Sequence, residues 1–182
     1  MVVMVLVILV VLVVVLVGIY NSLVQLQVRC DSAFSDIDVQ LKRRHDLIPN
    51  LVETVRGYAA HEKGTFESVA QLRSQAMQAS SPAEKAAAEN QLAGALKSLF
   101  AVAENYPELK ASEQFMQLQS SLSQTEDSIQ NARRYYNAVV RDLNTRIQSF
   151  PSSLLAGMFN FPPRQFFETS ETDREPVTVK FS

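Results

Sequence analysis

The stretch VVMVLVILVVLVVVLVGIY, residues 2–20, is an uncharged run of Val, Leu, Ile and Met with a single Gly18 near its end. At the helical rise it covers about 28 Å, close to the roughly 30 Å hydrocarbon core of a bilayer. Valine is a mediocre helix former in water, but in lipid the backbone must satisfy its own hydrogen bonds, so helix wins. Residues 1–20 therefore read as one transmembrane anchor, with the lipid bilayer as its partner. A cleaved signal peptide would need a basic start, a shorter apolar stretch and small residues at the cut, and none of these is present. The basic residues nearest the span are Arg29 and, at the edge of reach, Lys42, Arg43 and Arg44, which leans toward a cytoplasmic position for the chain beyond the anchor.

Beyond residue 20 about 160 residues remain, enough for one domain with its own core. With 17 basic and 19 acidic residues the net charge is −2, so no field of one sign exists to draw nucleic acid. The single cysteine, Cys30, excludes an internal disulfide and leaves only a bridge between chains. Few glycines and prolines go with a helical chain punctuated at few places.

From Leu23 the apolar residues recur at Leu26, Cys30, Ala33, Ile37 and Leu41, the three-four spacing of one buried helix face. The phase continues through His45, Ile48, Leu51, Val55 and Ala59, so Pro49 is expected to kink this helix rather than end it. A break is expected at residues 61–64, followed by an amphipathic helix over residues 67–79. Ser81-Pro82 with Glu84 is a helix start signal for a helix running to about Glu104. From Glu108 a long helix to about Ser149 carries Phe115, Leu118, Leu122, Ile129, Tyr136, Val140 and Leu143 on one stripe. Glu126, Asp127, Arg133, Arg134, Arg141 and Asp142 fall largely off it and read as a solvated face or as salt-bridging partners. Residues 21–150 are thus expected to form the helical body.

Residues 151–168 change character: Leu154, Leu155, Met158, Phe159, Phe161, Phe166 and Phe167 crowd into a short segment broken by Gly157 and Pro162-Pro163, and read as an apolar cap over one end of the body, the alternative being contact with the membrane or another subunit. Residues 169–182 read as a flexible tail in which Val177, Val179 and Phe181 alternate as a strand would.

The residues as a set resemble the LemA family of membrane-anchored bacterial proteins. The resemblance rests on YNSLV at residues 20–24, IDVQLKRRHDLIPNLVETV at 37–55, ENYPELKA at 104–111, residues 115–122, and TEDSIQNARRYYN at 125–137. It covers nearly the whole chain. Phe34 stands where family members typically carry Trp, and Cys30 is individual. The resemblance implies an up-and-down helical bundle behind one N-terminal transmembrane helix in the bacterial inner (cytoplasmic) membrane, and it supplies no activity.

The sequence carries no complete catalytic or metal-binding motif. His61-Glu62 lacks the second histidine of H-E-x-x-H, because Thr65 stands there; neither His45 nor His61 follows a Glu by three residues as in a di-iron bundle. His45, in the apolar phase beside Pro49, reads as satisfying the carbonyl that Pro49 frees or as pairing with a carboxylate. Nucleophile elbows and phosphate loops are absent. Lys42, Arg43 and Arg44 are candidates for an anionic contact, with ordinary ion pairing the favoured alternative.

The sequence thus predicts an all-α protein: one transmembrane helix, then an antiparallel four-helix bundle with long helices. It predicts no catalytic set, no cofactor and no metal. The expected role is a self-associating structural or scaffold protein whose contacts are Phe159, Phe161, Phe166, Phe167, Val177, Val179 and Phe181. The alternative is an accessory or signalling adaptor presenting its bundle to a membrane peptidase or sensor, a reading raised by the family resemblance.

Overall fold

The computed structural model describes residues 1–167, and over them the protein is all-helical. The helices are α1 (Val2–Arg56), α2 (Lys63–Gln78), α3 (Pro82–Glu104), α4 (Pro107–Lys110), α5 (Glu113–Gln148) and α6 (Ser152–Met158). The expected contacts Val177, Val179 and Phe181 lie outside the described residues.

Helix α1 is a single element of 55 residues with Pro49 inside it. Its first part is apolar on every side, and Val2 through Val17 are all exposed. It is long and apolar enough to cross a membrane. Further along, the three-four spacing takes effect, and Leu23, Cys30, Ala33, Ile37, Leu41, Ile48, Leu51 and Val55 are buried.

Helix α1 ends at Arg56, a few residues before the expected break, and α2 starts correspondingly early at Lys63. Gly57 costs about 1 kcal/mol in a helix interior, and the chain turns there with Tyr58 and Ala59 both bonding back to the Val55 carbonyl. Ala59 keeps the apolar phase and is buried although it is no longer helical. Helix α3 begins as the sequence requires: the Ser81 side chain accepts from the Glu84 amide, and the Glu84 carboxylate accepts from the Ser81 amide. That reciprocal pair satisfies two of the donors a helix start leaves open.

The residues fall into two compact units. One comprises Met1–Val39 and Gln130–Phe166; here Ile19 and Leu23 of α1 pack with Leu155 and Ala156 of α6, flanked by Ile147 and Phe161. The other comprises Gln40–Ile129 with Phe167. Its core is drawn from Ile48, Leu51 and Val55 of α1, Phe66 and Val69 of α2, Leu92, Leu96 and Leu99 of α3, Leu109 of α4, and Phe115 and Leu122 of α5.

Three expectations need correction. The helix expected from Glu108 is interrupted, because α4 ends at Lys110 and α5 starts only at Glu113. Arg133 is buried, not part of a solvated face; four residues past Ile129 and three before Tyr136, it shares their phase, and its charge conceals that. Gly157 does not break the apolar segment but lies inside α6, and the turn comes at Asn160, whose φ of 54° is left-handed. Asparagine is among the few residues that adopt that conformation readily.

Candidate functional site

The unit built on Gln40–Ile129 has an ionic centre. Arg44 and His45 lie between Leu41 and Ile48, where the helical phase faces inward, and both are buried. On α3 the same phase runs Ala86, Glu89, Leu92, Leu96, so Glu89 enters the core with its apolar neighbours. The His45 Nε2 lies 2.7 Å from Oε1 of Glu89. With Glu89 ionised, the imidazole N–H donates to it. The Arg44 Nη1 stands 3.5 Å from the other Glu89 oxygen and 3.2 Å from Oε2 of Glu126. Glu126 alone reaches water, its side chain 40% exposed, against 4% for Arg44 and 0% for Glu89.

Pro49 has no N–H to offer the His45 carbonyl four residues back. That oxygen accepts instead from Nε of Arg73 on α2, at 2.8 Å. The centre therefore links α1 to α2, α3 and α5 through charged groups. A buried charge needs a partner because desolvation is costly. Arg44, His45 and Glu89 meet that need with one another, and Glu126 connects them to the surface.

Of the three residues considered for an anionic contact, Arg44 turns into this centre, Lys42 pairs with Asp46 at 3.1 Å on the surface, and Arg43 is exposed. Sequence reasoning does not reach Glu89 or Arg73. The signal for Glu89 is its place three residues before Leu92, in phase with the buried leucines.

The other unit carries an aromatic and apolar site. Tyr20 meets Phe159 edge to face with ring centroids 4.9 Å apart, and Phe161 at 5.7 Å. Such pairs add about 0.5–1.5 kcal/mol beyond burial. Between α1 and α6 lies a groove of about 430 Å³, lined by Leu16, Val17 and Tyr20 on one side and by Leu154, Leu155, Met158 and Phe159 on the other.

Beyond α6 the chain is strapped down. The Asn144 side chain donates to the Arg164 carbonyl and accepts from the Arg164 amide, each at 2.9 Å. The Tyr136 hydroxyl donates to the Gln165 carbonyl at 2.8 Å, and Arg164 pairs with Asp31 at 2.8 Å. Burial pushes the Tyr136 hydroxyl and the Cys30 thiol above their ordinary pKa values. Cys30 is 1% exposed, so its sulfur is not presented for a bridge between chains.

Among the expected contact residues, Phe159 and Phe166 are exposed and Phe161 is half-buried. Phe167, by contrast, is fully buried and is a core residue, not a surface one.

Comparison with known proteins adds the relationship. The LemA family model matches residues 33–181. Protein LemA of Metamycoplasma hominis is 30% identical over 165 residues, covering 88% of this chain and 74% of that protein. Magnetosome protein MamQ 2 of Paramagnetospirillum magneticum is 25% identical over 184 residues, covering 87% of this chain and 68% of the relative. Magnetosome protein MamQ of Magnetospirillum gryphiswaldense is 23% identical over the same length and shares. No catalytic family is indicated, and the names of these relatives describe no reaction. The match through residues 33–181 takes in Arg44, His45, Glu89 and the Asn144 strap alike, and the chain belongs to the LemA family.

Proposed function

We propose that this LemA-family chain is a single-pass protein of the bacterial cytoplasmic membrane whose helical part, a four-helix bundle, works by protein contact as a self-associating scaffold. The observation that carries the reading is the contrast along α1. Val2 through Val17 are exposed apolar side chains, whereas Ile37 through Val55 of the same helix supply buried core residues. An exposed apolar surface of that length in water would drive aggregation, and lipid is the solvent that suits it. The buried ionic centre supports a structural role, because enclosed charge fixes helix pairing rather than meeting a substrate. Relatives named for the magnetosome are named for a cell structure, not a reaction. Self-association would use the exposed Phe166 together with residues 168–182, and the bundle stands on the cytoplasmic side.

The test is the mass of the full-length protein in nanodiscs, by light scattering, for wild type, Phe166→Ser and a chain ending at Phe167. A homogeneous multiple of the protomer mass that falls in the variants supports the scaffold. A monomer at all concentrations overturns it.

A second reading, an adaptor for another membrane protein such as a peptidase or sensor, is favoured by one feature. Tyr58, Tyr106, Pro107 and Glu108 line an open cleft of about 330 Å³ in the Gln40–Ile129 unit. Tyrosines around a cleft are common anchors at protein interfaces. Recovery of a stoichiometric second protein after gentle extraction, lost on Tyr58→Ser with Tyr106→Ser, would favour this reading.

A further inference from the structure

Helix α6 has two faces with different fates. Ser152, Leu155 and Ala156 are buried, the latter two against Ile19 and Leu23. Leu154, Met158 and Phe159 are 61%, 78% and 55% exposed, and Phe150 just before them is 82% exposed. A cluster of large apolar side chains left open in so short a segment marks a contact surface. Its position along α1 says what covers it.

The groove beside α6 has Leu16, Val17 and Tyr20 as one wall, and these are the last residues of the apolar run. When residues 2–20 fill a bilayer, about 28 Å of helix against roughly 30 Å of hydrocarbon puts Tyr20 at the edge of the core. Side chains packed beside Leu16 to Tyr20 share that depth. The ring cluster joins Tyr20, a residue type enriched at membrane–water boundaries, to Phe159 and Phe161, of the type that interfacial helices bury. Polar fastening is seen further out: Asp31, the partner of Arg164, lies eleven residues along α1 from Tyr20, about 16 Å at the helical rise.

We propose that α6 with Phe159 is a second membrane contact, lying in the bilayer interface and seating a lipid acyl chain in the groove against the anchor. This rests on the reading of residues 2–20 as a transmembrane helix. The groove is continuous with that helix: Leu16 and Val17 are exposed residues of the apolar run and line the groove at once. A second contact of this kind fixes the rotation of the anchor about its own axis, which a lone apolar helix of uniform composition leaves free.

The test places a fluorescent probe on single cysteines in the full-length Cys30→Ala protein, at Leu154→Cys and Met158→Cys. Leu9→Cys serves as the anchor reference and Gln117→Cys as the exposed reference on α5. Each protein is reconstituted in vesicles of phosphatidylcholine and phosphatidylglycerol, with and without lipid spin-labelled near the carbonyl end of the acyl chain. Aqueous iodide is the opposing quencher. The expected result is a loss of fluorescence at Leu154→Cys and Met158→Cys with spin-labelled lipid, a blue shift in emission, and protection from iodide, while Gln117→Cys does the reverse. If Leu9→Cys is quenched by lipid but both α6 probes are quenched by iodide, the anchor stands and the proposal is overturned. Shielding of the α6 probes from both quenchers means that protein covers the face, which also overturns it. Iodide access to Leu9→Cys removes the anchor itself and the proposal with it.

Discussion

The carbonyl oxygen of His45 accepts a hydrogen bond from Nε of Arg73 at 2.8 Å, where an uninterrupted helix would bring the N–H of residue 49. Pro49 has removed that donor, and a side chain from the next helix replaces it. The kink-prone position thereby becomes a tie between α1 and α2. Replacing Arg73 with Ala leaves the acceptor unsatisfied, for a loss of about 1–2 kcal/mol. In a Pro49→Ala background the helix regains its own donor, so the same replacement is expected to cost less. Thermal unfolding of the four proteins of this cycle in one detergent reads the coupling; equal losses in both backgrounds would show that Arg73 acts by other contacts.

Arg44 and Glu89 hold opposite charges where water does not reach. Arg44→Met takes the arginine cation from the Glu89 carboxylate and leaves it the hydrogen bond to His45, and the expected destabilisation is about 3 kcal/mol, the low end for a broken buried pair. Combining it with Glu89→Gln removes the charge while keeping an acceptor for His45, and most of the loss is expected to return. A double variant less stable than Arg44→Met alone would contradict the pairing.

At the start of α3, hydrogen bonds from the Ser81 and Ser80 amides hold the Glu84 carboxyl below the usual carboxylate range. A depressed carboxyl pKa contributes stability that is fully present above the unfolded pKa and lost as pH falls through the folded one. The melting-temperature gap between wild type and Glu84→Gln is therefore expected to be steady near neutrality and to shrink below the ordinary carboxylate range. A gap independent of pH would show that the carboxylate charge plays no part in the cap.

Cys30 is buried and its thiol pKa is raised, first by that burial. The thiolate is the reactive form. Alkylation of the folded protein is expected to be slow at neutral pH and to become rapid on unfolding. Stoichiometric labelling of the folded protein within the time of the unfolded control would show that the α1 face at Cys30 opens readily.

How much can be read in advance depends on how local the cause is. Ser81, Pro82 and Glu84 announce α3 because a capping box closes within four residues. His45 is legible as inward and as needing a carboxylate, since its phase with Leu41 and Ile48 is plain. Its partner is not, because Glu89 lies 44 residues away on an alanine-rich helix whose periodicity is faint. Arg73 answers a vacancy made by Pro49, a relation that exists only once α1 and α2 pack. Arg133 misleads when charge is weighed above phase, and Phe167 misleads because crowded phenylalanines at a chain's end look like surface. The aromatic segment can be identified from composition, but its seat beside Leu16 to Tyr20 cannot, since it depends on where the chain returns.

That return has a consequence for biosynthesis. One unit takes its halves from Met1–Val39 and Gln130–Phe166, so Ala33 and Ile37 leave the ribosome long before Tyr136, Val140 and Leu143 exist. The whole of Gln40–Ile129 is translated in between and can close its own core in the meantime. The apolar face of the first half stays uncovered throughout, in a nascent chain that also carries the exposed apolar run of residues 2–17. Under the proposed membrane anchor, delivery during translation rather than after it is the order of events that shields both surfaces while the last helices are still being made.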